Sequence, residues 1–265
     1  MTVIALSSKL IKNTLGFAFL IVCWFMLANI LGASRLPSPH VIFNKFISVL
    51  FISPAISAQG GGANGIYPHI IASVVRVYIG GTIGILLGIL CGLTISINKT
   101  INEIFQPIME IFRAIPPLAI APILLIWFGP TSTSQYVMLI SYTFLTLTVY
   151  TFEAVRNVDS LFIRYAQTMG ANKKQIFKTI VLPAIIPELI GGIRVSIALS
   201  WSIAVVSELL GAKLGIGKVF SMMLVAQGLD IIIISIIYVT LIAALTDQIF
   251  LALSNFFTRW VDRSK

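Results

Sequence analysis

Few side chains in this chain are of a kind that does chemistry, and their spacing limits what they can do. His40 and His69 stand far apart and offer no metal-ligand spacing. Cys23 and Cys91 each lie inside an apolar run, which reads as buried thiols rather than a disulfide or a metal pair. Gly215-Ile216-Gly217-Lys218 comes nearest to a phosphate-binding loop. However, Ala212 stands where its first glycine belongs, and Val219 replaces the Ser or Thr that holds magnesium. No Ser-His-Asp set or carboxylate pair stands out by spacing. What remains is a handful of charges in apolar surroundings. Glu110 and Arg113 are three apart and can pair across one helical turn, either holding a helix end or serving a pathway. Glu208, in one run with Trp201, is the only acidic residue there; it can contact substrate or cap a cation such as Arg76, and a structural or gating pair is the preferred reading. With Pro116 and Pro117 these form the candidate pathway or gating set.

A membrane must position these residues. The chain has 265 residues, 58% hydrophobic and 10% charged, a balance outside that of soluble domains. Several apolar runs reach the roughly 20 residues that cross a bilayer as helix, so an all-α membrane protein is expected. The net charge of +9 then reflects Lys and Arg gathered in cytoplasmic loops, not a nucleic-acid surface. Lys9 and Lys12 precede an apolar run from Leu15 to Ala33, too long for a secretory signal core and right for an uncleaved first span. Residues 34–67 hold Pro37, Pro39, Pro54 and the Gly60-Gly61-Gly62 cluster. They predict an external connection, amphipathic between Val41 and Ile52 and flexible at the glycines. In the second span, residues 70–97, Gly80, Gly84, Gly88 and Gly92 recur every fourth residue. They share one helix face and let another backbone approach closely. Arg76 lies near the outer end of this span, where it can snorkel.

Residues 101–129 carry Pro107, Pro116, Pro117 and Pro122, which one regular helix does not accommodate. Broken backbone at membrane depth persists where protein buries it or where it lines a wet cavity, as in translocation pathways. A fourth span at 134–152 is polar on one side through Ser141, Thr143, Thr146, Thr148 and Thr151, whose hydroxyls can bond back to their own helix. The fifth span is expected at 193–210, followed by a loop with Gly211, Gly215 and Gly217 and a last span at 231–256 containing Asp247. With six spans and the N-terminus inside, the inner segments hold Lys9, Lys12, Lys99, Arg156, Arg164, Lys173, Lys174, Lys178, Arg259, Arg263 and Lys265. The outer segments hold only Arg35, Lys45, Lys213 and Lys218. Both termini are therefore expected in the cytoplasm.

The most polar stretch runs from 153 to 190. Asp159 can cap a short helix from Ser160 to Met169, which Gly170 and Ala171 break. Asn172 with Gln175 is a capping-box pattern opening a second helix. There Ile176, Phe177 and Ile180 make one side apolar while Lys173, Lys174 and Lys178 stay wet. Pro183 and Pro187 punctuate the return to apolar sequence. Two short amphipathic helices with a glycine hinge, set between spans, read as a docking surface for a soluble partner.

Ala166 and Gly170, followed after nine residues by Ile180, Leu182 and Pro183, resemble the end of the coupling (EAA) loop of bacterial ABC-importer permeases. Arg164 and Tyr165 stand where that family usually has Glu and Ala. Arg113-x-Ile115-Pro116-Pro117-Leu118-Ala119, with Pro122, Trp127, Phe128 and Gly129, resembles the nitrate, sulfonate and taurine branch. The resemblance implies a type I importer permease with six transmembrane helices in a bacterial plasma (inner) membrane. Residues 1–65 would hold the first helix and an external connection. Residues 66–255 would form the transmembrane domain with its coupling loop at 153–190, and 256–265 a basic tail. It further implies a second, identical copy, two cytoplasmic ATPase subunits and an external binding protein in contact with a lipid-embedded permease. ATP and magnesium would sit on the ATPase, leaving this chain without cofactor or enzymatic activity. Arg164, Ala166, Gly170, Ile180, Leu182 and Pro183 would carry the coupling. The implied solute is a small anion of the alkanesulfonate, taurine or nitrate type; a pyrimidine thiamine precursor or riboflavin is the alternative. From the residues alone, a secondary transporter or channel without an ATPase also stays open.

Overall fold

A computed structural model describes residues 2–97 and 99–258, and within them every side chain except those of residues 2–13, 99, 113, 117, 118 and 257. Expectations placed on the side chains of Lys9, Lys12, Lys99, Arg113, Pro117, Arg259, Arg263 and Lys265 lie outside the described residues. Every regular element among the described residues is a helix. Five of them are long and apolar enough to cross a membrane: Thr14–Leu31 within α1 (Thr2–Leu31), α4 (Tyr67–Ile97), α7 (Ser132–Arg156), the run Lys173–Leu209, and α12 (Leu229–Phe257) as far as Phe256. Helices apolar on all sides need either a protein interior or lipid around them. The bare Phe17, Phe19, Leu20 and Met26 of α1 show which.

The six-span expectation meets one broken segment. Residues 99–128 form two helices, α5 (Lys99–Ala114) and α6 (Pro117–Phe128), parted at Ile115-Pro116. At 1.5 Å per residue they are about 24 and 18 Å long, and neither crosses alone. Pro117 takes the first turn of α6, where its missing N–H costs nothing, while Pro107 and Pro122 sit inside their helices.

The chain divides into two compact units, residues 1–69 with 219–238 and residues 70–218 with 239–265. In the first, Trp24 Nε1 donates to the Pro37 carbonyl (3.1 Å), and α2 (Pro39–Phe51) and α3 (Pro54–Ala58) follow. The glycine cluster is a loop, as expected, with Gly60 and Gly62 exposed and Gly61 held. Gly61 lies against Ile56 and Met222, and its carbonyl accepts from His69 Nε2 (3.0 Å). Ser57 Oγ donates to the Gly62 carbonyl (2.8 Å). Buried backbone groups need partners, and here the neighbouring helices supply them.

In the second unit, α4 lays its glycine face on α7. A Cβ at Gly88 would stand 2.7 Å from the Phe144 carbonyl oxygen, and one at Gly92 2.7 Å from that of Thr148. At Gly84 it would overlap Thr143. Thr143 and Thr148 donate to the carbonyls of Leu139 (2.8 Å) and Phe144 (2.7 Å), whereas the buried Thr151 hydroxyl opposite Gly92 has no hydrogen-bond partner among the described residues.

Two expectations change. The fifth span does not begin at 193: helix runs unbroken from Lys173 to Leu209 through α9 (Lys173–Ile176), a π turn (Phe177–Val181) and α10 (Leu182–Leu209). The wide turn brings the Leu182 N–H to the Phe177 carbonyl, and Pro183 falls in the first turn of α10. A proline there neither removes a needed hydrogen bond nor strikes the preceding turn. The stretch after Gly215 is likewise no loop but α11 (Ile216–Val225).

Gly88→Ala should lower the stability of the detergent-solubilised protein by roughly 1–3 kcal/mol, since the new methyl meets backbone. Gly191→Ala, where nothing lies within 4 Å, should instead stabilise α10 by up to about 1 kcal/mol through helix propensity. Thermal unfolding of the two variants checks both signs.

Candidate functional site

Local capping builds the connection between α7 and α10. Asp159 accepts from the Leu161 N–H (2.8 Å) and opens α8 (Ser160–Thr168). At the other end the Gly170 N–H bonds the Gln167 carbonyl and the Ala171 N–H bonds the Ala166 carbonyl, both at 3.0 Å, with Gly170 at φ +83°. This is the paired closure that a left-handed residue after a helix provides. Asn172 and Gln175 then exchange side-chain-to-backbone bonds (2.9 and 2.8 Å) and start α9. Gly170 has no neighbour within 4 Å of where a Cβ would be, so the demand for glycine comes from backbone strain, not crowding.

The capped segment has an inner and an outer side. Ile176, Val181, Ile185 and Leu189 are buried with Ala154, and Ala166, Ile180 and Leu182 pack half-buried against them. Pro183 and Arg164 are exposed, with Arg164 Nη2 held back on Ser160 Oγ (2.9 Å). On the outer side of α8, Leu161, Phe162, Tyr165 and Met169 are 61–76% exposed. Helical spacing sets them side by side. Large apolar side chains left bare in a polar connection mark a contact surface. Sequence reasoning overlooked this patch, although the spacing of 161, 165 and 169 announces it.

Between α5, α6, α7 and α10 lies an open cavity of about 270 Å³. Its walls are mostly apolar and aromatic (Met109, Phe112, Leu124, Tyr142, Tyr150, Leu199), with Ser141, Thr146 and Glu153 as polar points. A smaller cavity of about 80 Å³ shares Met109, Val149 and Glu153 with it and adds Gln106, Glu110 and Arg156. Glu110, a sequence candidate, is therefore at a cavity wall, accepting from Gln106 Nε2 (3.3 Å). Pro116 is exposed at the α5–α6 break, beside the wall residue Ile115. Trp201 and Glu208 line neither cavity.

Glu208 instead sits at a buried polar junction. Its side chain is fully buried and Arg76 is nearly so, and Arg76 Nη1 donates to Glu208 Oε1. The second carboxylate oxygen accepts from Ser73 Oγ (2.8 Å) and from the Gly217 N–H (3.0 Å). The Ile216 N–H donates to Ser73 Oγ (2.9 Å). Glu208 and Ser73 thus cap two of the N–H groups that the start of α11 leaves open. Gly215, at φ +142°, is required because a Cβ would run into the carboxylate. Trp201 packs nearby with Val77 and Ala204. A second ion pair went unnoticed in the sequence: Arg194 donates to both oxygens of Asp247 at 2.8 and 2.7 Å, joining α10 to α12. Two opposite charges in otherwise apolar spans were the available signal. Among the described residues no group of three His, Cys, Asp or Glu is placed to hold a metal.

Comparison with known proteins gives this geometry a setting. Residues 84–265 match the family described as "Binding-protein-dependent transport system inner membrane component". The taurine transport system permease protein TauC of Escherichia coli (strain K12) is 28% identical, over 96% of this chain and 91% of its own length. The nitrate import permease protein NrtB of Synechocystis sp. is 29% identical, over 91% of this chain and 87% of its own length. Among solved structures, an inward-facing form of the MetNI methionine ABC transporter superposes with a TM-score of 0.62. It covers 80% of this chain and 100% of that chain at 16% identity, a likeness of fold.

Breaking the buried junction should be costly. Glu208→Ala leaves Arg76 charged and unpaired and should destabilise by about 3–5 kcal/mol, whereas Arg76→Met with Glu208→Met together should recover part of that loss. Thermal unfolding in one detergent compares the single and double variants.

Proposed function

The chain belongs to the binding-protein-dependent transport system inner membrane component family, and from that premise we propose that it forms the membrane path for a small sulfonate- or nitrate-type anion. As a member of the family it is the integral membrane permease of an ABC importer, which works with a substrate-binding protein and an ATPase. The choice of solute follows the names of its taurine and nitrate relatives.

In the proposed assembly two identical copies stand side by side on two ATPase subunits, which bind and hydrolyse ATP with magnesium. The broken α5–α6 segment supplies the sixth crossing, residues 66–255 make up the transmembrane domain, and both termini face the cytoplasm. One observation carries the coupling role: α8 is capped at both ends yet leaves Leu161, Phe162, Tyr165 and Met169 bare. That patch enters the ATPase. Ala166, Gly170, Ile180, Leu182 and Pro183 set its stance, and Arg164 lies along its edge. Nucleotide-driven closure of the ATPases moves α8 and α9, and the spans shift between two arrangements that the ATPases bias. The cavity beside α5 and α6 is the path, with Glu110 on the wall of the smaller cavity adjoining it, and Arg113, Pro116 and Pro117 remain pathway or gating candidates by their place in the sequence. Trp201 and Glu208 support the gate from behind, and the glycine face of α4 keeps α7 fixed.

Tyr165→Asp should abolish co-purification of the ATPase in mild detergent while the chain still reaches the membrane. Gly170→Val, strained at φ +83°, should cost about 1–2 kcal/mol locally and sharply reduce ATP-driven uptake without loss of membrane level. Recovery of the wild-type chain alone, still moving solute without ATP, would instead favour a secondary transporter.

A further inference from the structure

Helix α2 divides its surface into three sectors. Ile42 and Val49 are buried and Phe46 is half-buried toward its own unit. Phe43, Ile47 and Phe51, spaced by four, form one stripe that is 82, 70 and 56% exposed. Asn44, Lys45 and Ser48 make an exposed polar flank beside it. A helix in open water would not bare the apolar stripe, and one enclosed by protein would not carry the polar flank. Three sectors fit a helix lying where protein, hydrocarbon and water meet.

Its height along a spanning helix agrees. Lys45 Nζ bonds Asp230 Oδ2 (2.6 Å) in the first turn of α12. The Phe46 ring stacks on Tyr238 with centroids 4.4 Å apart, and the Phe46 carbonyl accepts from Tyr238 Oη (2.7 Å). Asp230 and Tyr238 are eight residues apart, about 12 Å along the helix. Thus α2 lies beside the outermost turns of a span, not beyond its end. Apolar faces of interfacial helices reach about 5–10 Å into the headgroup and acyl boundary. Lys45, half-exposed, keeps its charge at the span's end in the way long cationic side chains do at that level. The span just before it in the same unit, α1, also bares apolar side chains near its end, Leu27 and Ile30.

We infer that α2 is an interfacial lipid-binding helix, its Phe43–Ile47–Phe51 stripe immersed among acyl chains of the leaflet where α1 ends and α12 begins. The test uses the full chain with its co-purifying subunits in lipid nanodiscs. Cys23 and Cys91, the free cysteines, are first changed to Ala. A bimane label is then attached through Ile47→Cys or, separately, Ser48→Cys. The label at 47 should lose fluorescence to phospholipids brominated on their acyl chains and keep it in iodide; the label at 48 should respond to iodide. Quenching of the 47 label by iodide would place the stripe in water. Indifference to both quenchers would mean that a second copy or another subunit covers it. Either result overturns the proposal.

Discussion

The carboxylate of Glu208 meets three demands that arise because it is fully buried. Arg76 carries a charge that costs several kcal/mol to bury without an anion beside it. Ser73 needs an acceptor, and the first turn of α11 needs caps for its free N–H groups. One carboxylate with four lone-pair sites satisfies all of them. Gly215 and Gly217 leave room for it, since a side chain at 215 would occupy its place and one at 217 would press on the Leu209 backbone. The junction therefore fixes where α4, α10 and the start of α11 stand. Trp201, two turns earlier on α10, fills the space beside Val77, next to Arg76 in α4.

Elsewhere contact is set by size rather than charge. Within a bilayer, helix association relies on close packing because lipid is as apolar as leucine. The glycines of α4 and the hydroxyls of α7 bring two backbones together, and Gly192 of α10 fits against Tyr150 from the other side. On the flank of α7 facing α5 and α6, Ala121 and Leu124 of α6 pack on Met138 and Leu139, but the packing is incomplete. A segment broken at Ile115-Pro116 presents no continuous ridge, and the cavity of about 270 Å³ occupies what it leaves open. A fully close-packed flank and one interrupted by a cavity thus follow from glycine spacing on one side of the helix and proline spacing on the other.

How legible each part was depends on the range of its cause. Asp159, Gly170 and the Asn172–Gln175 box act within a few residues, and α8 and α9 stand where those signals place them. The glycine period of α4 and the proline break after Ala114 are also local patterns. The start of α11 was not legible because its caps come from Glu208 and from Ser73, 143 residues before Ile216. The glycines at 60–62 read as slack since their partners, Ile56, His69 and Met222, are set by tertiary packing. Of the candidate residues, Glu110 stands at a cavity wall, while Trp201 and Glu208 stand in the interior. Composition marked them as unusual in apolar sequence but could not say which side of the helix they take.

The reading of Pro183 as a boundary matters most for how the molecule can work. A break there would separate the capped connection from the fifth span by a soft joint. Instead the π turn absorbs the proline, and helix continues from Lys173 to Leu209, about 55 Å at 1.5 Å per residue. One end of that helix carries the segment whose bare patch faces away from the spans. The other end carries Glu208 and its hold on Arg76 and α11. In the proposed coupling, a displacement of α8 and α9 would be delivered along this one helix to the buried junction. The π turn and Pro187 interrupt its regularity, and Asn157, bonded to Glu188 (2.9 Å), braces the end of α7 against it about two turns past the π turn. If α10 moves as proposed, the cost of leaving Arg76 unpaired requires α4 and the start of α11 to travel with it rather than slide past it.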